Sequence, residues 1–145
     1  MSMPEIDIKN SIMSDKLSVL NPTLSVRIRP DTKVKDVIQT MVDKKIGAVL
    51  IVDDNKLVGI FSERDIIKKI ADRYDEVKEE AISEFMTENP ECLSINHTLA
   101  YALNRMDLGD FRHIPIIDDE NRPTGIIAVR DILRYIDYKC LDGPQ

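Results

Sequence analysis

The chain has 145 residues, of which 43% are hydrophobic, enough for a packed core in one compact domain or two very small ones and too many for wholesale disorder. Lysine and arginine total 20 against 26 aspartates and glutamates, which gives a formal net charge of -6. Because proteins that grip duplex nucleic acid gain affinity by neutralising phosphates, this balance argues against direct nucleic-acid binding, although a small phosphorylated ligand needs only a few local donors.

Targeting features and cysteines indicate a cytoplasmic protein without membrane contact. No apolar run approaches the roughly 18 residues of a membrane span, and Met1 to Glu5 lack the basic start and apolar stretch of a signal peptide. Cys92 and Cys140 are far apart and form no Cys-x-x-Cys motif. We therefore expect reduced thiols, with no disulfide framework and no zinc site.

In chain order, a lead-in segment over residues 1–24 precedes a first repeat over residues 25–73. The repeat is predicted to begin with a short strand from Ser25 to Arg29, and a helix follows. A continuously apolar strand then ends in an acidic turn, Asp53 to Asn55, and a second strand leads into another helix. We interpret the acidic residues as hairpin turn residues and not as a metal site. The predicted buried face of the first helix consists of Val34, Val37, Ile38, Met41 and Val42.

The same pattern recurs 65 to 66 residues later, so the chain is predicted to be a duplication. A charged stretch, Asp72 to Glu80, is interpreted as a helix end and a linker. The linker and a short helix are predicted to occupy residues 74–90. The second repeat then covers residues 91–138 and begins with a strand at Glu91 to Ile95. A tail covers residues 139–145. The fold class is α/β (α+β): two β-α-β-β-α motifs, related by a pseudo-twofold axis and packed as one compact module, because one motif alone leaves apolar surface unburied.

Each repeat contains a corner where a strand ends and a helix begins. Free backbone N–H groups at such a corner predict a phosphate site, where Ser62 donates to phosphate and Asp65 accepts from ribose hydroxyls. Ser-x-x-Asp is equally a helix capping box, and both interpretations stay open. In the second repeat Ala128 cannot cap with its side chain. The presence of Asp131 there favours a ligand role, although the helix dipole also favours an acid.

Further candidates lie around these corners. Arg64 and Arg130 fit phosphate through a bidentate fork, or are solvated residues at a helix end. Thr32 and Thr98 precede helices and are candidate caps. The glycines of the second strands, Gly59 and Gly125, permit close backbone approach, which serves hairpin packing as readily as a ligand.

The two repeats resemble the paired CBS domain (cystathionine-β-synthase domain), also called a Bateman module. The resemblance covers roughly residues 10 to 138 and includes the Gly-h-h-x-x-Arg-Asp signature in both copies. The matching segments are Pro30 to Thr32, Gly47 to Asp53 and Gly59 to Asp65 in the first copy, and Asn96 to Thr98, Arg112 to Asp118 and Gly125 to Asp131 in the second.

The resemblance implies a non-catalytic regulatory module that binds AMP, ADP, ATP or S-adenosylmethionine between its two motifs and needs no other cofactor. It also implies a homodimer and a regulated partner protein. The ribose-binding aspartate of the family falls on Asp65 and Asp131, and its hydroxyl residue on Ser62; Ala128 departs from the pattern, which favours the first corner. The implied ligand contacts are Thr32, Ala48, Val49, Ser62, Arg64, Asp65, Thr98, Arg112, His113, Ile114, Pro115, Arg130 and Asp131.

The sequence bears on two other classes of function. The sequence contains no Gly-x-Ser-x-Gly elbow, His-Glu-x-x-His helix motif or Gly-x-x-x-x-Gly-Lys-Ser/Thr loop, so catalysis is not expected. The alternative to a ligand-binding module is a ligand-free scaffold for dimerisation or protein interaction.

Overall fold

The computed structural model describes residues 9–10, 12–24 and 26–140, which divide into two compact units. The first-repeat unit consists of Leu24–Pro90 and Asp119–Pro123. The second-repeat unit consists of the residues up to Thr23, Glu91–Asp118 and the residues from Thr124 onward. In the described ranges, no helix has the length and apolar character to cross a membrane.

The first-repeat unit is built on a four-stranded sheet with the order β1-β2-β3-β4. Strand β1 runs parallel to β2, whereas the β2–β3 and β3–β4 pairs are antiparallel. Strand β4 was not predicted, and Gly59 makes room for its approach, because a Cβ there would lie 2.3 Å from the Met86 sulfur and 3.1 Å from the Thr87 carbonyl oxygen. The strands are β1, Arg27–Ile28; β2, Ala48–Asp53; β3, Lys56–Ser62; and β4, Thr87–Glu88.

Strand β1 is shorter than the predicted Ser25 to Arg29. Ser25 lies outside the described residues. At the other end Pro30, which has no N–H to donate, opens a turn in which the Thr32 N–H donates to the Arg29 carbonyl at 3.1 Å. The turn therefore ends β1 at Ile28.

The acidic turn between β2 and β3 is a two-residue hairpin loop, as predicted. Asp54 and Asn55 have φ values of 50° and 60°, and Asp53 pairs with Lys56 across the strands. Left-handed conformations at both loop residues match the twist of the flanking strands, and Asp and Asn tolerate them better than most side chains.

Helix α1, Val34–Lys44, is capped by the backbone of a distant segment and not by Thr32. The residue before the helix is Lys33, and its side chain makes no capping bond. The Val34 N–H donates to the Glu80 carbonyl at 2.9 Å and the Lys35 N–H to the Lys78 carbonyl at 3.1 Å. The prediction that Thr32 caps this helix is therefore wrong, because residues 78–80 already accept from its first N–H groups.

The chain after β3 remains helical farther than predicted. Helix α2, Glu63–Asp65, continues into a π-helical segment at Ile66–Ile70 and a 3₁₀ turn at Ala71–Arg73. Helix α3, Tyr74–Val77, then occupies four residues of the stretch Asp72 to Glu80, which was interpreted as a helix end and a linker. The buried Val77 anchors α3 in the core of this unit. What remains of that stretch is residues 78–80, which cap α1.

Glu79 lies in the segment that caps α1, residues 78–80, and we expect it to make a pH-dependent contribution to stability. The Glu79 carboxylate accepts from Lys35 at 2.8 Å and from Lys33 at 2.9 Å, and these hydrogen bonds lower the pKa of Glu79 from 4.5 to about 2. A lowered pKa stabilises the fold above pH 4.5, and that contribution is lost as the pH falls from 4.5 towards about 2.

We therefore expect the difference in melting temperature between wild type and Glu79→Gln to be present above pH 4.5 and to shrink below it. Thermal unfolding across this pH range measures it. Glu76→Gln, an exposed substitution on α3, is the matched control. A wild-type advantage that is independent of pH would contradict the assignment to the carboxylate.

The second-repeat unit has a two-stranded sheet, β5 with β6. The predicted strand at Glu91 to Ile95 is reduced to one parallel bridge between Leu93 and Ile116. The cause is local: the Ser94 N–H donates to His97 Nδ1 at 3.0 Å, so the chain turns immediately after Leu93. The elements are α4, Leu99–Gly109; β5, His113–Ile117; β6, Pro123–Ala128; and α5, Val129–Cys140.

The segment before the first repeat packs in the second-repeat unit. It forms a 3₁₀ turn at Leu17–Leu20, and the Leu17 N–H donates to the His97 carbonyl at 2.8 Å. The Asp15 carboxylate accepts from the Tyr135 hydroxyl at 2.6 Å. Burial and this hydrogen bond raise the pKa of Tyr135 to about 12. Gly125 of β6 lies close to Pro22: a Cβ on the glycine would be 3.1 Å from the proline carbonyl carbon. The close backbone approach predicted for Gly125 therefore serves packing.

Each unit has its own hydrophobic core. The first core includes the α1 residues Val34, Val37 and Met41, and the second contains Leu99, Ala102 and Met106 of α4. The predicted apolar faces of both helices are thus largely confirmed. Val42 is the exception: it is 64% exposed, since α1 is amphipathic over a narrower stripe than its sequence suggests.

Candidate functional site

The first corner joins β3 to α2 and is organised by Asp65. One carboxylate oxygen, Oδ2, accepts from the Ser62 N–H at 2.9 Å and from the Ser62 hydroxyl at 3.2 Å. The other, Oδ1, forms an ion pair with Lys69 Nζ at 3.1 Å. Asp65 is only 8% exposed. The capping-box interpretation of Ser62 and Asp65 is therefore confirmed at this corner.

The second corner joins β6 to α5 and keeps half of that arrangement. Asp131 Oδ2 accepts from the Ala128 N–H at 2.8 Å. We predicted a ligand role for Asp131 because Ala128 has no capping side chain, but the acid needs only the backbone N–H of residue 128 as its donor. Asp131 thus has a structural role, and its ligand role stays a prediction.

The backbone N–H groups at the two corners are already engaged. Besides those that bond the aspartates, the Glu63 N–H donates to the Gly47 carbonyl at 2.9 Å, and the Val129 N–H donates to the Arg112 carbonyl at 2.9 Å. The expectation of free N–H groups for a phosphate is wrong for these positions. An anionic ligand group near either corner therefore depends mainly on side-chain cations.

The corners differ at the position four residues after the aspartate. In the first repeat this residue is Lys69, which holds Asp65 and also donates to the Phe85 carbonyl at 2.8 Å. The equivalent residue in the second repeat is Tyr135, whose hydroxyl donates to Asp15. Within the described residues no ion pair involves Asp131, which is half-buried.

The structure brings some of the predicted contacts of the first repeat together. Ala48 lies opposite Ser62 in the β2–β3 ladder, one residue beyond the carbonyl of Gly47 that holds α2. Val49 is buried in the first core, so its side chain has a packing role. Thr32 lies at the far end of α1, about 16 Å of helix away from the start of β2. Its backbone instead bonds to Arg29 and Ile82.

The predicted contacts of the second repeat are similarly divided. Ile114 belongs to the second core, and the carbonyl of the buried Pro115 accepts from the Leu93 N–H at 2.9 Å. His113 begins β5 and is half-buried, next to the exposed Arg112. Thr98 caps α4 as predicted, since its hydroxyl oxygen accepts from the Tyr101 N–H at 3.1 Å.

The two arginines before the aspartates remain candidates for a ligand anion. Arg64 is half-buried at the end of α2, and Arg130 is exposed in the first turn of α5. Both stay predictions, as do the other ligand contacts of the two repeats.

A cavity of about 310 Å³ lies beside Asp131 in the second-repeat unit. Except for Asp131, its lining residues were missed in the sequence. A signal was present: four of them share one face of α5 at the helical spacing i, i+3, i+4 and i+7. The lining residues are Val19, Leu20, Pro22, Ile126, Ile127, Asp131, Arg134, Tyr135 and Tyr138.

Cys92 has no features of a nucleophile. Burial, with a smaller effect from Glu91, raises the pKa of its thiol from 9.0 to about 11. The thiolate, which is the reactive form, is therefore scarce near neutral pH.

Comparison with known proteins identifies the family. The CBS domain model matches the chain twice, at residues 8–72 and 82–138, so the chain belongs to the CBS domain family. An uncharacterized 17.7 kDa protein of Acidianus ambivalens is 28% identical over 125 residues, which are 86% of this chain and 74% of that protein. The inosine-5'-monophosphate dehydrogenase of Methanocaldococcus jannaschii is 36% identical over 114 residues, but the match spans 78% of this chain and only 22% of the dehydrogenase.

A solved structure supports the same fold. The CBS domain pair of MJ0100, in complex with methylthioadenosine and S-adenosyl-L-methionine, has a TM-score of 0.70 and 25% sequence identity. The similarity covers 83% of this chain and 96% of that one. The mixed α/β fold and the tandem CBS assignment are thereby confirmed.

Proposed function

We propose that the chain is a non-catalytic regulatory module that binds an adenosine-containing ligand, AMP, ADP, ATP or S-adenosylmethionine, and so senses energy or metabolite state. The observation that carries the proposal is the carboxylate that each repeat holds at its strand-to-helix corner. Both carboxylates are fixed by a backbone N–H, at 2.9 Å for Asp65 and 2.8 Å for Asp131. A carboxylate oriented in this way is suited to accept from the two hydroxyls of a ribose.

The proposal draws on the relatives in one respect. The MJ0100 pair, 25% identical to this chain, is described as a complex with two adenosine compounds. We extend the binding of this chemical class to the present chain, together with action in the cytoplasm on a partner protein. The choice among the adenosine compounds is open to the experiment below.

We further propose that the module is a homodimer. Ile67 and Leu133 occupy equivalent positions in the two repeats and are 74% and 58% exposed. An exposed large apolar side chain at the same position of each repeat is the feature that supports the proposal.

A panel of AMP, ADP, ATP, S-adenosylmethionine and NADH tests the ligand proposal by thermal shift and calorimetry. A ligand that binds only the native state at a hundred times its Kd adds about 2.7 kcal/mol of stability, which raises the melting temperature measurably. We expect at least one adenosine compound to do so. Mass spectrometry of small molecules that co-purify with the protein would identify a ligand retained from the cell.

The second candidate function is a scaffold that dimerises without a ligand. The ion pair between Asp65 and Lys69 favours it, because that carboxylate is already satisfied by the chain itself. No thermal response to any compound of the panel at millimolar concentration would support the scaffold and contradict the sensor.

A further inference from the structure

We propose that His97 is a pH-sensitive switch that controls how firmly the segment Asp15 to Ser18 is held on the second-repeat unit. The neutral ring shapes the turn at residues 94–97, which binds this segment, and protonation of the ring loosens the turn. The proposal goes beyond ligand sensing and does not depend on it.

The turn at residues 94–97 binds the segment through backbone carbonyls. The His97 carbonyl accepts from the Leu17 N–H at 2.8 Å, and the Ile95 carbonyl accepts from the Ser18 N–H at 3.1 Å. The Leu17 side chain is fully buried in the second core. The geometry of this turn therefore determines how firmly a core residue is held in place.

The ring of His97 determines that geometry. Its Nδ1 atom accepts from the Ser94 N–H at 3.0 Å, and the His97 N–H donates to the Ser94 carbonyl at 3.1 Å. A ring nitrogen that accepts a hydrogen bond carries no proton, so the first of these bonds requires the neutral imidazole, with its proton on Nε2. In the protonated ring both nitrogens are donors, and two N–H groups would then face each other.

The first repeat builds the equivalent turn without a titratable side chain. Thr32 corresponds to His97, and its carbonyl accepts from the Ile82 N–H at 2.8 Å. Pro30 corresponds to Ile95, and a proline ring fixes the φ angle of its own residue. The second repeat has no proline at this position, and the imidazole acceptor stabilises its turn instead. Only the turn of the second repeat should therefore respond to pH.

In the part of the chain that the structure describes, His97 forms no ion pair that would stabilise its charged form. The residue is exposed, so solvent protons reach the ring, and Tyr101 of α4 stacks on it with centroids 4.8 Å apart. The titratable and charged groups on the elements around the ring, with their partners, are Asp15 with Tyr135, Glu91 with Arg105, Lys16 and Tyr101. Protonation thus removes the bond from Ser94 without supplying a carboxylate partner.

The chemistry of histidine sets the pH range of the switch. Histidine changes its charge between about pH 5 and pH 8. The bond from the Ser94 N–H is present at the upper end of this range and is lost as the pH falls through it, so the hold on Leu17 weakens on acidification. The range lies above the pH at which the contribution of Glu79 is lost, which keeps the two effects separate.

Amide hydrogen exchange tests the proposal, measured by NMR at about pH 7.5 and about pH 5 and corrected for the intrinsic rate at each pH. The Leu17 and Ser18 N–H groups should exchange about three- to tenfold faster at the lower pH, the factor that one hydrogen bond is worth. The Ile82 N–H, bonded to the equivalent carbonyl of the first repeat, is the internal control and should not change. The ring resonances of His97 report its protonation in the same samples.

Two substitutions separate the ring's acceptor from its charge. His97→Asn supplies an oxygen that can accept from the Ser94 N–H but does not titrate, so Leu17 should be protected at both pH values. His97→Ala supplies no acceptor, and Leu17 should exchange fast at both; circular dichroism checks that both variants are folded. The proposal is overturned if wild type shows no acceleration, if His97→Asn is accelerated as much as wild type, or if the His97 ring stays neutral at the lower pH.

Discussion

Phe61→Ala is expected to lower the free energy of unfolding by about 3–5 kcal/mol, the usual cost of removing a large buried aromatic side chain. Phe61 is fully buried in the first core. It lies on β3, which is hydrogen-bonded to β2 on one side and to β4 on the other, so the backbone has little freedom to collapse into the space left behind. Urea denaturation followed by far-ultraviolet circular dichroism measures the change.

The matched control for Phe61→Ala is Val42→Ala in the same unit. Val42 is exposed, and alanine has the higher helix propensity, so we expect a change within about 0.5 kcal/mol. Equal destabilisation by the two substitutions would contradict the assignment of Phe61 to the core.

Leu17→Ala is expected to cost about 2–5 kcal/mol, although Leu17 lies outside both repeats as the sequence defines them. Its side chain is fully buried in the second core with Leu99 and Ile132. The Leu17 N–H bond to the His97 carbonyl fixes the segment in place, so the methyl groups that are removed leave a cavity. The same denaturation experiment measures the loss.

Met13→Ala provides the comparison for Leu17→Ala. Met13 precedes the same 3₁₀ turn but is 60% exposed, and we expect its substitution to change stability by less than about 0.5 kcal/mol. If Leu17→Ala were as mild as Met13→Ala, the segment would not be part of the second core.

Much of the fold could be predicted because periodicity and turn chemistry are local. The apolar run from Ala48 to Val52, with turn-forming residues after it, is sufficient to predict β2 and the hairpin that follows it. The spacing of Val34, Val37 and Met41 is sufficient for the buried face of α1. The matching positions of Asp65 and Asp131 identified both corners, although the local pattern could not show how each carboxylate is satisfied.

The features that could not be predicted depend on partners distant in sequence. The first N–H groups of α1 donate to the carbonyls of Lys78 and Glu80, which lie far along the chain. The prediction of Thr32 as the cap, made from residues near the helix alone, was therefore wrong. Leu93 makes one bridge and not a strand, because His97 bends the chain beside it.

The cavity was missed for the same reason. Its walls combine α5 and β6 with residues before the first repeat, and only the helical face from Asp131 to Tyr138 is visible as a pattern. The exchange of Lys69 for Tyr135 between the repeats could be seen in the sequence, but its meaning requires the position of Asp15.

The bond between Asp15 and Tyr135 joins residues 120 positions apart. During synthesis the segment around Leu17 is made before the first repeat, whereas its packing partners on α4 and α5 are made only after the first repeat. The first-repeat unit, apart from the short stretch Asp119–Pro123, has its residues available well before then. Contacts of such long range close slowly, because a large loop must be ordered before they form. The nascent chain therefore carries an exposed apolar segment until α5 has been made, and the unit that holds the cavity completes its core after the first-repeat unit does.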